Sequence, residues 1–113
     1  ENNVLLAFDP PSNTPAWTRK FSGNIQVMAA SSSGELYLGG HFVQDVATKA
    51  KRPYFASVRW ADGQLTPWAP AATGGKLGTW ALLLDGDRLH SGGFFRYFGG
   101  VQQRGYARFT GTP

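Results

Sequence analysis

Cysteine is absent from this chain, so neither disulfide bonds nor thiolate metal sites contribute to its stability. Charged residues make up only 16% of the sequence, seven of them acidic, and the Ala-, Glu-, Lys- and Leu-rich runs that favour helices are missing. No apolar run approaches the roughly 20 residues that a membrane-spanning helix needs. The sequence therefore predicts few or no helices and no insertion into a membrane.

Motifs for catalysis, cofactor binding and metal binding are also missing. The chain has no His-Glu-x-x-His motif, no phosphate-binding Gly-x-x-x-x-Gly-Lys-Ser/Thr loop and no Gly-x-Ser-x-Gly nucleophile turn. Asp85 and Asp87 flank Gly86 and offer two carboxylates, but a hairpin turn explains both and the spacing lacks further calcium ligands. We therefore predict that this chain is not an enzyme and has no cofactor and no metal site; a third reading is an enzyme whose active site lies elsewhere in a longer parent protein.

The residues that are plentiful point to short strands joined by tight turns. The sequence has 15 glycines, seven prolines and 14% aromatic residues, a composition typical of all-β proteins. The net charge of +4 is spread along the chain, with one local concentration at residues 49–52. We interpret this mild positive bias as a solvated surface and predict no binding to nucleic acid.

An internal repeat dominates the sequence. Residues 36–42 (LYLGGHF) return as residues 89–95 (LHSGGFF), each matched position 53 residues further along the chain. Thr14-Pro15-Ala16-Trp17 returns as Thr66-Pro67-Trp68, and an apolar four-residue pattern occurs at 5–8, 55–58 and 106–109. A period near fifty residues is typical of four-stranded propeller blades rather than of helical repeats.

The repeat and its turn signals predict an all-β segment of a β-propeller, with about two four-stranded antiparallel blades and an incomplete ring. In the central blade the strands are expected at Ile25–Ala30, at the Gly-Gly motif, at Tyr54–Trp60 and, outermost, at Leu65–Ala69. The first strand of the next blade is expected at Leu77–Leu84. The single segment 1–113 then divides into a partial blade 1–22, a blade 23–70 and a partial blade 71–113.

The repeated glycines and aromatic residues are expected to serve the fold rather than a ligand. Paired glycines inside a strand indicate a bulge, a sharp twist or a close approach of a neighbouring element. The phenylalanines after them are expected to be buried between blades, and the tryptophans after the prolines to anchor outer strands. This predicted structural set contains Gly39, Gly40, Phe42, Gly92, Gly93, Phe95, Trp17 and Trp68.

The residues together resemble the β-propeller repeats of large secreted bacterial proteins, similar to the delta-60 and kelch-like classes. The resemblance rests on the Leu-Tyr-Leu-Gly-Gly-x-Phe order, on loops ending in Arg52 or Arg104, on an aromatic-Ala strand and on residues 62–70 (DGQLTPWAP). It implies radially packed four-stranded blades and an extracellular or cell-surface setting, but no particular activity. Ser91 and His90 stand where the first copy has Leu38 and Tyr37, so the second copy is expected to pack less tightly or to border a wetter edge.

The predicted strand count does not close a ring, because propellers commonly have four to eight blades. Either the sequence is a segment of a longer chain or several copies assemble to complete the ring. The expected partners are accordingly neighbouring blades, from the same longer chain or from other copies. We expect a non-catalytic structural, adhesion or assembly module.

The alternative function is glycan binding in the manner of a lectin. Connections on a rigid scaffold are where binding groups usually lie, and the two long loops expected here span Val43–Pro53 and Arg96–Gly105. Aromatic rings beside a few polar groups suit sugar rings. The candidate ligand-binding residues on this reading are His41, Trp80, Arg96 and Tyr97.

Overall fold

The computed structural model describes residues 3–75 and 78–110 of the chain. These residues form eleven β-strands and no helix, which confirms the all-β prediction. The strands are β1 (Asn3–Ala7), β2 (Trp17–Phe21), β3 (Ile25–Ala30), β4 (Glu35–Gly40), β5 (Phe55–Arg59), β6 (Ala72–Thr73), β7 (Gly78–Asp85), β8 (Arg88–Phe94), β9 (Tyr97–Phe98), β10 (Val101–Gln102) and β11 (Tyr106–Phe109).

Within these ranges the strands form four small antiparallel sheets, none of which closes on itself. The first sheet pairs β1 with β2, and the second sheet has the order β3-β4-β5. The third sheet has the order β7-β8-β11, and a small sheet has the order β6-β9-β10. The second and third sheets each consist of a hairpin and one further strand that returns after a long loop.

Tight turns set the ends of the strands. Gly34, between β3 and β4, and Gly86, between β7 and β8, have φ angles of 104° and 61°. These are left-handed conformations that glycine adopts without steric cost, as hairpin turns require. The range of β3 coincides with the expected first strand of the central blade. For the strand expected at Leu77–Leu84, the described part begins at Gly78, and Leu77 lies outside the described residues.

The expected fourth strand at Leu65–Ala69 is reduced to a short stretch beside β5. Leu65 forms an isolated bridge to Val58, and the amide of Thr66 donates to the Ser57 carbonyl at 2.9 Å. Pro67 and Pro70 then interrupt the segment, and proline has no N–H to continue a ladder. The second sheet is therefore three-stranded, with only the beginning of a fourth strand.

The region expected to be a second long loop, Arg96–Gly105, contains regular structure. It holds the strands β9 and β10, and β9 also pairs with β6, so that Tyr97 lies opposite Thr73. Alternation of apolar and polar residues is too short here to reveal two-residue strands. The first loop, Val43–Pro53, makes the equivalent pairings only as isolated bridges. Gln44 with Lys51 corresponds to Tyr97 with Gln102, and Phe21 with Asp45 corresponds to Ala72 with Phe98.

The second and third sheets share the same strand register. In the second sheet Gly39 pairs with Phe55 and Leu36 with Val58, and the matching pairs in the third sheet are Gly92 with Tyr106 and Leu89 with Phe109. Each sheet also has one register shift in its first strand, between Ile25 and Val27 in β3 and between Thr79 and Ala81 in β7. The two sheets therefore correspond residue by residue, including the bulge.

Two clusters of buried apolar side chains lie between successive sheets. The first contains Leu5 and Phe21 of the first sheet together with Leu38, Phe42, Ala56 and Val58. The second contains Phe55 of the second sheet together with Ala72, Phe95 and Ala107. Burial of one aromatic ring stabilises the fold by about 2–3 kcal/mol, so these two layers are the main apolar contribution to stability.

Candidate functional site

The first long loop is fixed by a buried carboxylate. Asp45 is 0% exposed and accepts hydrogen bonds from Arg19 Nη1 at 2.8 Å and from the hydroxyl and amide of Thr48 at 2.6 and 2.9 Å. Arg19 Nε also donates to the Gly63 carbonyl at 2.7 Å, which ties the first sheet to a turn of the second. The loop is therefore a braced structural element.

The charge state of Asp45 follows from these contacts. Burial by itself raises the pKa of the Asp45 carboxyl, because it penalises the charged form. The hydrogen bonds from Thr48 and the hydrogen bond and positive charge of Arg19 oppose burial and prevail, so the pKa lies below its ordinary value of 3.8. Asp45 is thus a charged structural group whose two carboxylate oxygens already accept hydrogen bonds from Arg19 and Thr48. This arrangement does not suit acid/base chemistry.

The second loop is different, because it borders an open groove. The groove has a volume of about 340 Å³ and is lined by Gly93, Phe94, Phe95, Arg96, Arg104 and Gly105. We call it the arginine groove. Phe94 is 51% exposed there, whereas Phe95 is buried and forms part of the wall. A site of this kind presents two guanidinium groups and one aromatic ring to solvent.

Backbone hydrogen bonds show which residues of the two loops correspond. The Arg52 amide donates to the Val43 carbonyl at 2.8 Å, and the Gln103 amide donates to the Arg96 carbonyl at 2.7 Å. Arg52 therefore corresponds to Gln103, which corrects the sequence alignment of Arg52 with Arg104. The two arginines of the groove, Arg96 and Arg104, instead correspond to Val43 and Pro53. The sequence alignment was wrong because the second loop is shorter and the sequence does not show which positions are missing.

Arg52 itself has a structural role. Its Nη2 donates to the Thr66 carbonyl at 3.0 Å and its Nη1 to the Lys51 carbonyl at 2.8 Å, so it holds the segment that follows β5. Ion pairs in the described residues involve Arg19 with Asp45 and Arg59 with Asp62, and they leave out Arg96 and Arg104. The arginine groove is therefore a positively charged surface without a neutralising carboxylate among the residues that line it.

Of the four candidate ligand residues, the lining of the arginine groove includes Arg96 and leaves out His41, Trp80 and Tyr97. Arg96 lines the arginine groove, and Tyr97, which is 37% exposed, follows it at the start of β9. A Cβ placed on Gly74 would lie 2.9 Å from Arg96 Cβ and 3.0 Å from Tyr97 Cδ2, so both residues pack on the 74–75 turn. Trp80 is 53% exposed at the bulge of β7.

His41 occupies the bend after β4 and is exposed. The strand ends at Gly40, because the His41 amide turns to donate to the Asn24 carbonyl at 2.8 Å. His90 is half-buried in β8, and its Nδ1 lies 2.7 Å from the Tyr106 hydroxyl. Arg104 also lines the groove, and the sequence analysis missed it as a ligand residue. Its position in the same loop as Arg96 could have indicated it.

The aromatic members of the predicted structural set, Phe42, Phe95, Trp17 and Trp68, contact residues of neighbouring sheets. Phe42 is 0% and Phe95 2% exposed, and they belong to the two different clusters. Trp17 Nε1 donates to the Trp60 carbonyl at 3.1 Å, and Trp68 meets Phe109 edge-on with ring centroids 5.4 Å apart. Both tryptophans thus reach from one sheet to the next sheet along the chain.

The paired glycines permit close approach of backbone and side chains. A Cβ on Gly40 would stand 2.1 Å from the Asn24 carbonyl oxygen, and one on Gly93 would stand 2.4 Å from the Gly78 carbonyl oxygen. Ser91, which replaces Leu38, is buried and donates to the Ala107 carbonyl at 2.9 Å. The second repeat is therefore closely packed on the side of β8 that carries Ser91, and the side that carries His90 is the more exposed one.

Across the described ranges, no three histidine, cysteine or acidic side chains come together in a way that would hold a metal ion. The same residues include no helix that is long and apolar enough to cross a membrane. Comparison with protein-family models, curated proteins and solved structures found no match to this chain.

Proposed function

We propose that this chain is a segment of a β-propeller-like module with a structural, adhesion or assembly role, in an extracellular or cell-surface protein and without catalytic activity. The observation that carries the proposal is the shared register and shared bulge of the second and third sheets. Repeated sheets that stack face to face bury apolar surface only against their neighbours. A chain built in this way is suited to extending or presenting a surface.

The direction of stacking supports the same proposal. Trp17, the first residue of β2 in the first sheet, contacts a turn of the second sheet, where a Cβ on Gly63 would lie 2.5 Å from Trp17 Cε3. Trp68 follows β5 of the second sheet and contacts Phe109 of the third sheet. The first and second sheets therefore each reach the next sheet along the chain by a tryptophan, which suits the packing of successive propeller blades.

Nuclear Overhauser effects across the interface provide the test of this stacking. We expect contacts from the Thr79 methyl group to the Gly39 α-protons and from the Trp68 ring to the Phe109 ring. A folded protein that lacks both contacts contradicts the stacked arrangement. A control contact within one sheet, between Leu38 and Ala56, is expected in either case.

A second candidate function is the binding of acidic glycans, and the arginine groove favours it specifically. Arg96 and Arg104 lie on one groove beside the exposed ring of Phe94. Guanidinium groups pair with carboxylates and sulfates in bidentate geometry, and an aromatic face accommodates a sugar ring. Neutral glycans make no use of the two positive charges, so the expected ligands carry uronate or sulfate groups.

A panel of neutral and acidic glycans separates the two functions. Binding of uronate- or sulfate-bearing glycans that is lost in R96Q and R104Q, but kept in the surface variant R88Q, supports the glycan function. Equal binding by all three variants indicates unspecific attraction to a basic surface. Absence of binding by the native chain leaves the structural role as the function.

A further inference from the structure

The described sheets form a stack that ends on two different apolar faces. On the first sheet, Val4 and Leu6 of β1 and Phe8 just after it point outward, with exposed fractions of 47%, 48% and 46%. Leu5 between them is 8% exposed and packs inward against the second sheet. We call these three outward residues the leading face. These three neighbouring side chains form one half-exposed apolar patch, and exposed apolar patches can mark interaction sites.

The third sheet provides the other end of the stack. Leu83 is 65% and Tyr106 48% exposed, and the Tyr106 ring stacks beside His90 with centroids 6.0 Å apart. A shallow cavity of about 160 Å³ lies over these side chains, lined also by Ala81 and Gly92. We call this surface the trailing face.

The matching residues of the second sheet show what covers the surface that is equivalent to the trailing face. Tyr106 and His90 correspond to Phe55 and Tyr37 of the second sheet, which are 0% and 1% exposed because the third sheet and the aromatic side chains near it lie over them. Gly92 corresponds to Gly39. A Cβ on Gly39 would stand 2.6 Å from Thr79 Cγ2, whereas the nearest atom to a Cβ on Gly92 is 3.8 Å away. Within residues 3–75 and 78–110, no sheet lies over the trailing face in the way that the third sheet lies over the second.

The leading face has the matching character. In the apolar pattern that occurs three times, residues 5–8 align with residues 106–109, so Phe8 corresponds to Phe109. Inside the chain, Phe109 meets Phe55 with ring centroids 5.5 Å apart. Phe8 of one copy placed against Tyr106 of another reproduces this internal contact, since Tyr106 corresponds to Phe55.

We propose that the leading face of one copy of this chain docks on the trailing face of a second copy, in the same direction as the internal stacking of sheets. This inference rests on the proposed stacked arrangement and identifies the partner that covers its ends. The occupant is a second copy because the chain carries both halves of the contact. The interface continues one that the chain already contains between its second and third sheets.

Analytical ultracentrifugation of the native chain over a wide concentration range tests the docking. We expect species heavier than the 12.3 kDa monomer, with a mass that rises with concentration. F8D removes the leading face and Y106D removes the trailing face, and each variant is expected to weaken self-association at least about tenfold. V43D, which changes an exposed loop residue outside both faces, is expected to associate like the native chain.

Mixing the two face variants gives the decisive result. Y106D keeps its leading face and F8D keeps its trailing face, so an equimolar mixture is expected to form a one-to-one complex and nothing larger. Circular dichroism of each variant verifies that the strands are retained. A native chain that stays monomeric at millimolar concentration overturns the proposal, and so does a mixture of folded variants that forms no complex. Failure of the underlying stacking is recognised separately, because G39A and G92A then have equal stability.

Discussion

Gly39 and Thr79 lie against each other across the interface between the second and third sheets. A Cβ placed on Gly39 would stand 2.6 Å from Thr79 Cγ2 and 2.8 Å from Val27 Cγ2. Real Cβ atoms do not approach other carbons so closely. The side chain of Thr79 therefore leaves no room for a Cβ at this strand position, which explains why the residue is glycine. At the same position in the third sheet, the nearest atom among the described residues to a Cβ on Gly92 would be 3.8 Å away.

G39A is therefore expected to destabilise the protein by about 2–3 kcal/mol, because it overpacks the interface. G92A is the matched control and is expected to be neutral or slightly stabilising, since alanine loses less backbone entropy than glycine on folding. Urea denaturation of both variants measures the difference in the free energy of unfolding. Equal losses in the two variants contradict the stacking of the second and third sheets.

The buried pair of Arg19 and Asp45 gives the protein a specific sensitivity to acid. The native pKa of Asp45 lies below the ordinary value of 3.8, so its contribution to stability is complete above that pH and is lost as the pH falls through the native pKa. D45N leaves Arg19 without its charged partner and is expected to cost about 3 kcal/mol at neutral pH. The stability difference between native protein and D45N should shrink below pH 3.8 and vanish in stronger acid, as measured by urea denaturation at a series of pH values. A difference that is independent of pH argues against an ionised Asp45 in the folded state.

Phe55 is the centre of the aromatic layer between the second and third sheets. Its ring centroid lies 5.6 Å from those of Phe95 and Phe98, and 6.0 Å from that of Trp68. F55A is expected to cost about 3–5 kcal/mol, because it removes a fully buried ring and leaves a cavity. F94A, at a half-exposed ring, is expected to change stability by less than about 0.5 kcal/mol. Thermal unfolding of the two variants compares them, and similar melting temperatures exclude the central role of Phe55.

Tyr54 joins the end of the first long loop to the turn before β7. It has a φ of 70°, which is unusual for a bulky residue, and its hydroxyl donates to the Gly75 carbonyl. Y54F removes this hydrogen bond and is expected to cost about 1 kcal/mol. Y97F is the control, because Tyr97 is partly exposed in the same region. Chemical denaturation distinguishes them, and the prediction is wrong if Y54F is as stable as the native chain.

The sequence predicted the all-β class and the bounds of β3 because turn dipeptides and alternation are local signals. It could not predict that the segment expected as the fourth strand, Leu65–Ala69, fails to form a full strand. That outcome depends on whether the positions of Pro67 and Pro70 would need a backbone N–H to pair with β5. Local pattern also could not reveal the small sheet, whose strands have only two residues each. Tertiary pairing, rather than propensity, forms these short strands.

Of the two arginines that line the arginine groove, the sequence analysis singles out Arg96 and misses Arg104, and the reason lies in the loops. Arg96 is predicted as a polar group suited to a sugar ligand, whereas the sequence aligns Arg104 with Arg52 as a feature of both repeats. The hydrogen bonds of Arg96 and Gln103 reveal the correct correspondence, and no sequence signal marks where a shorter loop has lost its residues. His41 and Trp80 were selected for their chemistry, which says nothing about which surface a side chain shares.

The second sheet contributes side chains to both apolar clusters, whereas the first and third sheets each have one side exposed. Opening the protein at either end therefore breaks one layer of contacts, but exposing β4 and β5 requires breaking both. Amide hydrogens of these two strands should exchange with solvent most slowly, and those of β1 and β7 sooner. The first and third sheets are accordingly expected to open before the second sheet, which unfolds last.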